Sequence, residues 1–200
     1  MLCPSSCPHP QPPSRSVVND SSIASLAAAE LDGIAAPRTA RVRVVHTDGM
    51  WRVLAMEHIG HGELILEIKG VLVDQPSRYT VQIGEGVHIA PAPGRDDPSR
   101  GDDPPSYPWQ FLNHSCDPNA VIAGTNLVAH RRIDAGQEVT FDYNTTEYEM
   151  ATPFACQCQA CGDGGSLIAG FRFLPTPRQR EMYPRLAEHL RRKLGGSGAT

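Results

Sequence analysis

The stretch Asn113-His114-Ser115-Cys116-Asp117-Pro118-Asn119 decides how this chain is read. In the form NHSCxPN it has six defined letters, which would coincide by chance at roughly 10⁻⁸ per start position if residues were drawn evenly. Further on comes Glu138-Val139-Thr140-Phe141-Asp142-Tyr143, and after it the cysteines Cys156, Cys158 and Cys161. These residue types in this order single out a segment bearing His114 and Cys116, a strand-end tyrosine and a candidate metal site.

Cys156, Cys158 and Cys161 offer three thiolates within six residues, and a tetrahedral zinc needs a fourth ligand. Two cysteines separated by a single residue cannot easily close a mutual disulfide, which favours a metal over a bridge. Cys116 is the candidate fourth ligand and would tie the C-terminal segment to the body of the domain. Cys3 and Cys7 lie in a proline-rich stretch and receive no role.

Two hundred residues, 40% of them hydrophobic, support one domain with a core of its own. No apolar run is long enough to span a bilayer, so no membrane association is expected. The segment Met1–Ser16 has no apolar h-region, which predicts no secretory signal. An intracellular, cytoplasmic location is expected, with the nucleus open if the source is eukaryotic. The net charge of −4 argues against a nonspecific nucleic-acid binder and is compatible with a basic peptide partner. A monomer is expected.

Residues 1–39 read as a Pro/Ser-rich, largely disordered extension, with a short helix possible through Ala27–Leu31. From Arg41 onward the pattern turns to short β-type runs separated by turn signals. Strands are expected at Arg41–His46, Trp51–Met56, Glu63–Ile68, Arg78–Ile83 and Val87–Ala90. A hairpin is expected around Gly124-Thr125, and Glu138–Tyr143 reads as the last strand. Asp48-Gly49 and Gly84-Glu85-Gly86 mark turns. Pro91–Pro108 reads as an irregular insert, and Trp109–Leu112 as one helical turn. Thr176-Pro177 reads as a helix start with Thr176 as N-cap, and Pro184 as a break. Leu186, Leu190 and Leu194 then form an apolar stripe that can dock on the body.

Taken singly, the candidate residues are ambiguous. A tyrosine at a strand end, such as Tyr143, is ordinarily a packing residue with a wet hydroxyl. His114 reads either as a base or as a buried imidazole bonded to backbone. Ser115 lacks the glycines of a nucleophile elbow.

Together these residues resemble the SET-domain protein-lysine methyltransferases. Asn113–Asn119 matches the family's NHSCxPN signature, and Glu138–Tyr143 its ELTFDY signature. Ala55-x-Glu57-x-Ile59-x2-Gly62-Glu63 resembles the first strand-and-turn segment. The spacing Cys156-x-Cys158-x2-Cys161, with Phe154 just before it, is similar to the post-SET motif of the SET-and-MYND branch, without a MYND finger. The resemblance covers about Arg41 to Cys161. It divides the chain into the extension 1–39, a SET domain at 40–145, a post-SET zinc segment at 146–165 and a C-terminal helical extension at 166–200.

What the resemblance implies is specific. The fold would be mainly β: several small twisted sheets around a pseudoknot, a zinc-bound post-SET segment and C-terminal helices. The reaction would move a methyl group from S-adenosylmethionine to a lysine side chain of a protein or peptide. Tyr143 matches the catalytic tyrosine, Phe141 the Phe/Tyr switch position, and Tyr79 a tyrosine lining the lysine channel. Asn113, His114 and Phe154 match donor-binding positions. Met50-Trp51-Arg52 stand where the family usually has Gly-x-Gly, with backbone groups of Trp51 and Arg52 serving the donor. Cys116, Cys156, Cys158 and Cys161 would hold one structural zinc. The competing reading is a catalytically inactive SET module that binds a peptide or protein.

Overall fold

The computed structural model describes residues 41–93 and 107–196. The N-terminal extension, its expected helix and most of the Pro91–Pro108 insert lie outside the described residues.

The chain begins with a hairpin, β1 (Val42–Thr47) against β2 (Met50–Ala55). Its two-residue turn, Asp48-Gly49, has φ of 53° and 74°. Positive φ at both central positions matches the right-handed twist of the flanking strands. Alternation then buries Val42, Val53 and Ala55 on one face. Next come β3 (Leu64–Glu67), β4 (Val71–Val73), β5 (Val81–Gly84) and β6 (Val87–Ala90). Strands β4, β6 and β5 form one sheet in that order. Gly70 makes the approach of β4 possible, since a Cβ there would stand 2.0 Å from the carbonyl oxygen of Ala90.

After a single 3₁₀ turn (Pro108–Phe111) come β7 (Asn113–His114), β8 (Ala120–Ala123) and β9 (Asn126–Ala129). Strands β8 and β9 form the expected hairpin around Gly124-Thr125 and extend β3 into a three-stranded sheet. Strand β10 (Thr140–Phe141) lies parallel to β7, pairing Thr140 with Asn113 and Phe141 with His114. Val53, Ile59, Leu127, Ile133 and Val139 are fully buried between these small sheets. Each such side chain contributes about 1.5–3 kcal/mol relative to exposure. The cysteine-bearing segment adds β11 (Phe154–Ala155) and β12 (Leu167–Ile168) as an antiparallel pair.

Three strand expectations are corrected. Arg78–Ile83 becomes a strand only at Val81, because Ser77–Thr80 is a turn. The Thr80 hydroxyl accepts the Ser77 amide at 2.9 Å and donates to the Ser77 carbonyl at 3.1 Å. Of Glu138–Tyr143 only Thr140–Phe141 stays extended. The Asp142 carboxylate accepts the Asn144 amide at 3.1 Å and caps a 3₁₀ turn at Tyr143–Thr145. That strand is also not the last, since β11 and β12 follow it.

The C-terminal part forms a second, smaller core. Helix α1 (Thr176–Glu181) has Pro175 as its N-cap, one residue before the expected Thr176. Tyr183–Arg185 is a 3₁₀ turn containing Pro184, and α2 (Glu188–Gly196) follows. Leu186 and Leu190 are buried with Phe171 and Met182, and Leu194 packs at the edge. The Ala187 amide donates to the Thr145 carbonyl at 2.8 Å, which docks this core on the chain just after β10. Among the described residues, no helix is long and apolar enough to cross a membrane.

A buried carboxyl joins β5 to this docking region. Glu147 Oε1 accepts the Gln82 amide at 2.8 Å, and Oε2 lies 3.9 Å from His88 Nε2. Burial pushes the Glu147 carboxyl up to about 7 from an ordinary 4.5. The folded chain therefore holds this proton more tightly than the unfolded chain. The resulting stability is full below pH 4.5 and is lost as pH rises through 7. A shift of that size corresponds to roughly 3 kcal/mol. Glu147→Gln keeps the acceptor for Gln82 and is expected to flatten the decline in Tm over this window. The difference between the two melting curves reads Glu147 together with its effect on the adjacent His88. Parallel curves would contradict this account.

Candidate active site and cysteine cluster

The parallel β7–β10 pair sets the site's geometry by bringing the NHSC run and the Phe141-Asp142-Tyr143 run side by side. The Ser115 amide donates to the Phe141 carbonyl at 3.1 Å, extending the pairing by one residue. Asn119 fastens the other end. Its side-chain amide donates to the Glu138 carbonyl at 2.8 Å, and its side-chain oxygen accepts the Thr140 amide at 2.9 Å. Asn119 is therefore more than a turn residue: its side chain takes the place of a neighbouring strand.

Tyr143 is half-buried, and its hydroxyl donates to the Leu112 carbonyl at 2.6 Å. Burial raises the phenol well above its ordinary range, so the hydroxyl stays protonated. Its ring lies 4.8 Å from Phe141, 5.3 Å from His114 and 5.9 Å from Phe154 (centroid distances). His114 and Phe154 meet edge-on at 5.8 Å. Three rings from three separate segments thus contact one another in pairs, in the T-shaped arrangement that aromatic quadrupoles favour. The His114 side chain is buried, and desolvation lowers it to about 4. It is neutral at physiological pH. Burial also raises the Asp142 carboxyl.

Met50–Arg52 lie at the start of β2 and face this cluster through Asn113. The Asn113 side-chain nitrogen donates to the Trp51 carbonyl at 2.7 Å and to Glu138 Oε1 at 2.8 Å. Arg52 Nε stands 3.5 Å from Glu138 Oε2, and its guanidinium also donates to the Thr47 hydroxyl. The Trp51 ring packs on Phe111 at 5.0 Å. Trp51, Arg52, Asn113, His114, Phe141, Tyr143 and Phe154 are therefore linked by direct contacts. Tyr79 lies in the Ser77–Thr80 turn, exposed, with Arg78 over its ring at 6.0 Å. Glu138 and the Leu112 carbonyl were missed by sequence reasoning. Glu138 was legible only as a motif letter, and no side-chain pattern marks a backbone carbonyl.

Cys116, Cys156, Cys158 and Cys161 have their sulfurs within 4.8 Å of one another, and all four are free of disulfides. Four sulfurs bound tetrahedrally at about 2.3 Å lie about 3.8 Å apart. The observed Cys116–Cys156 and Cys158–Cys161 separations are 3.9 and 3.6 Å, and Cys116–Cys161 is closer at 2.9 Å. Amides point inward as well: Cys116 N–H to Cys158 Sγ at 3.4 Å, and Cys158 N–H to Cys156 Sγ at 3.3 Å. Burial would raise the Cys158 thiol, but the Cys116 amide and the neighbouring thiols outweigh it and hold it at about 6. Burial pushes Cys156 up to about 11 and Cys116 higher still. Such thiols give up their protons to a bound cation. The donor set fits a tetrahedral metal ion.

With this geometry in view, the comparisons with known proteins can be placed. Residues 50–144 match the family model of the SET domain. The chain resembles the "Histone-lysine N-methyltransferase, H3 lysine-36 specific" of Eremothecium gossypii, with 42% identity over 57 residues, 24% of this chain and 8% of the relative. The enzyme of the same name from Yarrowia lipolytica is 30% identical over 134 residues, 58% of this chain and 16% of the relative. A crystal structure of KRYPTONITE in complex with mCHG DNA and SAH aligns with a TM-score of 0.44 at 23% identity, covering 62% of this chain and 28% of that one. The chain spans less than a fifth of the length of these curated relatives.

Proposed function

We propose that the chain is a protein-lysine N-methyltransferase that uses S-adenosylmethionine, with one structural zinc on its four cysteines. The observation that carries this reading is the Tyr143 hydroxyl fixed on the Leu112 carbonyl at 2.6 Å, beside the rings of His114 and Phe154. It places a protonated hydroxyl and a backbone carbonyl together against an aromatic wall. The match of residues 50–144 to the SET-domain family model and the curated names of similar proteins support the same reading.

When bound, S-adenosylmethionine supplies a methyl group on a positively charged sulfur. Asn113, His114 and Phe154 would hold that donor, and its methyl group would pass to the lysine nitrogen with the sulfur as leaving group. An in-line displacement of this kind gains most of its rate from alignment. The incoming amine must be neutral, although its ordinary pKa is about 10.4. Entry into an apolar channel and the facing sulfonium charge both lower that value, so no carboxylate base is required. Tyr143 steers the amine's lone pair, and the Leu112 carbonyl offers an acceptor for the polarised methyl hydrogens. Phe154 offers a face for the adenine ring. Asn113 ties the Trp51 carbonyl and Glu138 together, which orders β2 as the wall beside the donor.

Phe141 is buried against Tyr143 and has no hydroxyl to hold a water in the channel. Room for two or three methyl groups follows. Relatives named as histone-lysine methyltransferases make core histones the first acceptors to try, and a net charge of −4 suits a basic tail. Incubation with donor and histones, followed by mass spectrometry, is expected to show di- or trimethyl-lysine. A product that stays monomethylated on a good acceptor would contradict the Phe141 argument. Four thiolates, a soft tetrahedral set, favour zinc among common cations.

A further inference from the structure

We propose that the His114 imidazole joins the metal centre to Tyr143, donating Nε2–H to the Cys116 sulfur and accepting the Tyr143 amide on Nδ1. Its catalytic consequence rests on the methyltransferase reading; the linkage itself does not. His114 is then a positioning residue, acting on Tyr143 through the backbone.

The ring's two neighbours set its tautomer. Nδ1 lies 3.3 Å from the Tyr143 amide, a group that can only donate. The nearest oxygen of Asp142 is 3.7 Å from the same nitrogen, beyond hydrogen-bond range. Nδ1 therefore presents its lone pair, and the hydrogen of the neutral ring sits on Nε2. Nε2 in turn lies 3.3 Å from Cys116 Sγ. A metal-bound thiolate accepts and cannot donate, so the two requirements agree. Edge-on contacts from Tyr143 and Phe154 hold the ring in this orientation.

The linkage has two consequences. An N–H aimed at a ligating sulfur draws charge from it, an outer-shell effect whose removal typically costs 10–100-fold in metal affinity or activity, or roughly tenfold at the low end. The same ring also fixes the amide of the residue whose hydroxyl meets Leu112. Loss of metal is therefore felt at Tyr143 through one side chain, without rearrangement of β10.

Two substitutions separate the halves of the linkage. In His114→Asn the side-chain oxygen falls near Nδ1 and still accepts the Tyr143 amide, but nothing reaches Cys116. In His114→Gln the terminal amide falls near Nε2 and can donate to Cys116, but Nδ1 is lost. Cobalt(II) replaces the native ion as the probe, and the sulfur-to-cobalt charge-transfer bands are recorded without any methyl donor present. The asparagine variant is expected to shift these bands to longer wavelength and to release cobalt to a chelator about tenfold more readily. The glutamine variant is expected to keep the wild-type bands while kcat falls. Equal shifts in both variants, or none in either, would overturn the proposal.

If neither variant holds one cobalt per chain, nitrogen NMR of the unsubstituted protein decides. Hydrogen on Nε2 is the expected state, and hydrogen on Nδ1 overturns the proposal. Because the cobalt and NMR readings need no turnover, they stand even if the chain transfers no methyl groups.

Discussion

Tyr143→Phe is expected to lower kcat by about 10²–10³-fold, the usual cost of removing one positioned hydrogen-bonding group at a reacting centre. The substitution deletes a hydroxyl that meets the Leu112 carbonyl at 2.6 Å and changes little else. The ring keeps its contacts with Phe141, His114 and Phe154, and the backbone amide keeps its bond to His114. Folding and donor binding are therefore expected to survive while the amine loses its guide. Rates at saturating donor and acceptor measure the loss, and calorimetry shows whether the donor still binds. A variant with full rate would remove Tyr143 from the reaction.

Cys116→Ser has the second large effect. Cys116 is the one ligand candidate in the NHSC run; the other three lie within six residues of one another. Its sulfur connects the Cys156–Cys161 segment to the β7–β10 pair, and its loss leaves three sulfurs for a tetrahedral ion. Metal content is expected to fall well below one per chain. With metal at about a hundredfold excess over Kd, binding contributes about 2.7 kcal/mol to stability. For a chain of this size that corresponds to a fall in Tm of about 5–11 °C when binding fails. Proteolysis is expected to begin between β11 and β12, where the cysteines hold the chain. Elemental analysis and a melting curve check both points, and unchanged metal stoichiometry would refute the shared ligand.

Much of this was readable before any coordinates. The NHSC and FDY strings carry their information in defined letters, and Asp48-Gly49 and Gly124-Thr125 set their hairpins by local backbone preference. Helical periodicity placed Leu190 and Leu194 on α2, but Leu186 of the expected stripe is buried from extended backbone before that helix begins. The features that escaped depend on contacts between distant residues. Strand β4 is three residues long and exists because Gly70 lets the chain pass close to Ala90. The extended run ending at Tyr143 is cut short by a side-chain cap from Asp142, which competes locally with the strand. Asn119 and Glu138 were motif letters whose bonding partners only the folded chain shows. Glu147 is raised to about 7 by burial, in a site closed partly by Gln82, whose amide it accepts from sixty-five positions away. Tyr79 was expected on a strand because β-type residues surround it, and the Ser77–Thr80 turn prevailed.

The central claim is that this chain binds a methyl donor where Asn113, His114 and Phe154 meet β2. Calorimetric titration of the metal-loaded chain with S-adenosylmethionine, and with its demethylated product, tests it before any acceptor is known. The account predicts saturable binding of one donor per chain, retained in Tyr143→Phe and weakened when Phe154 is replaced by alanine. No heat of binding from either ligand, with metal bound and the chain folded, would contradict it and leave the domain a scaffold for a peptide or protein partner.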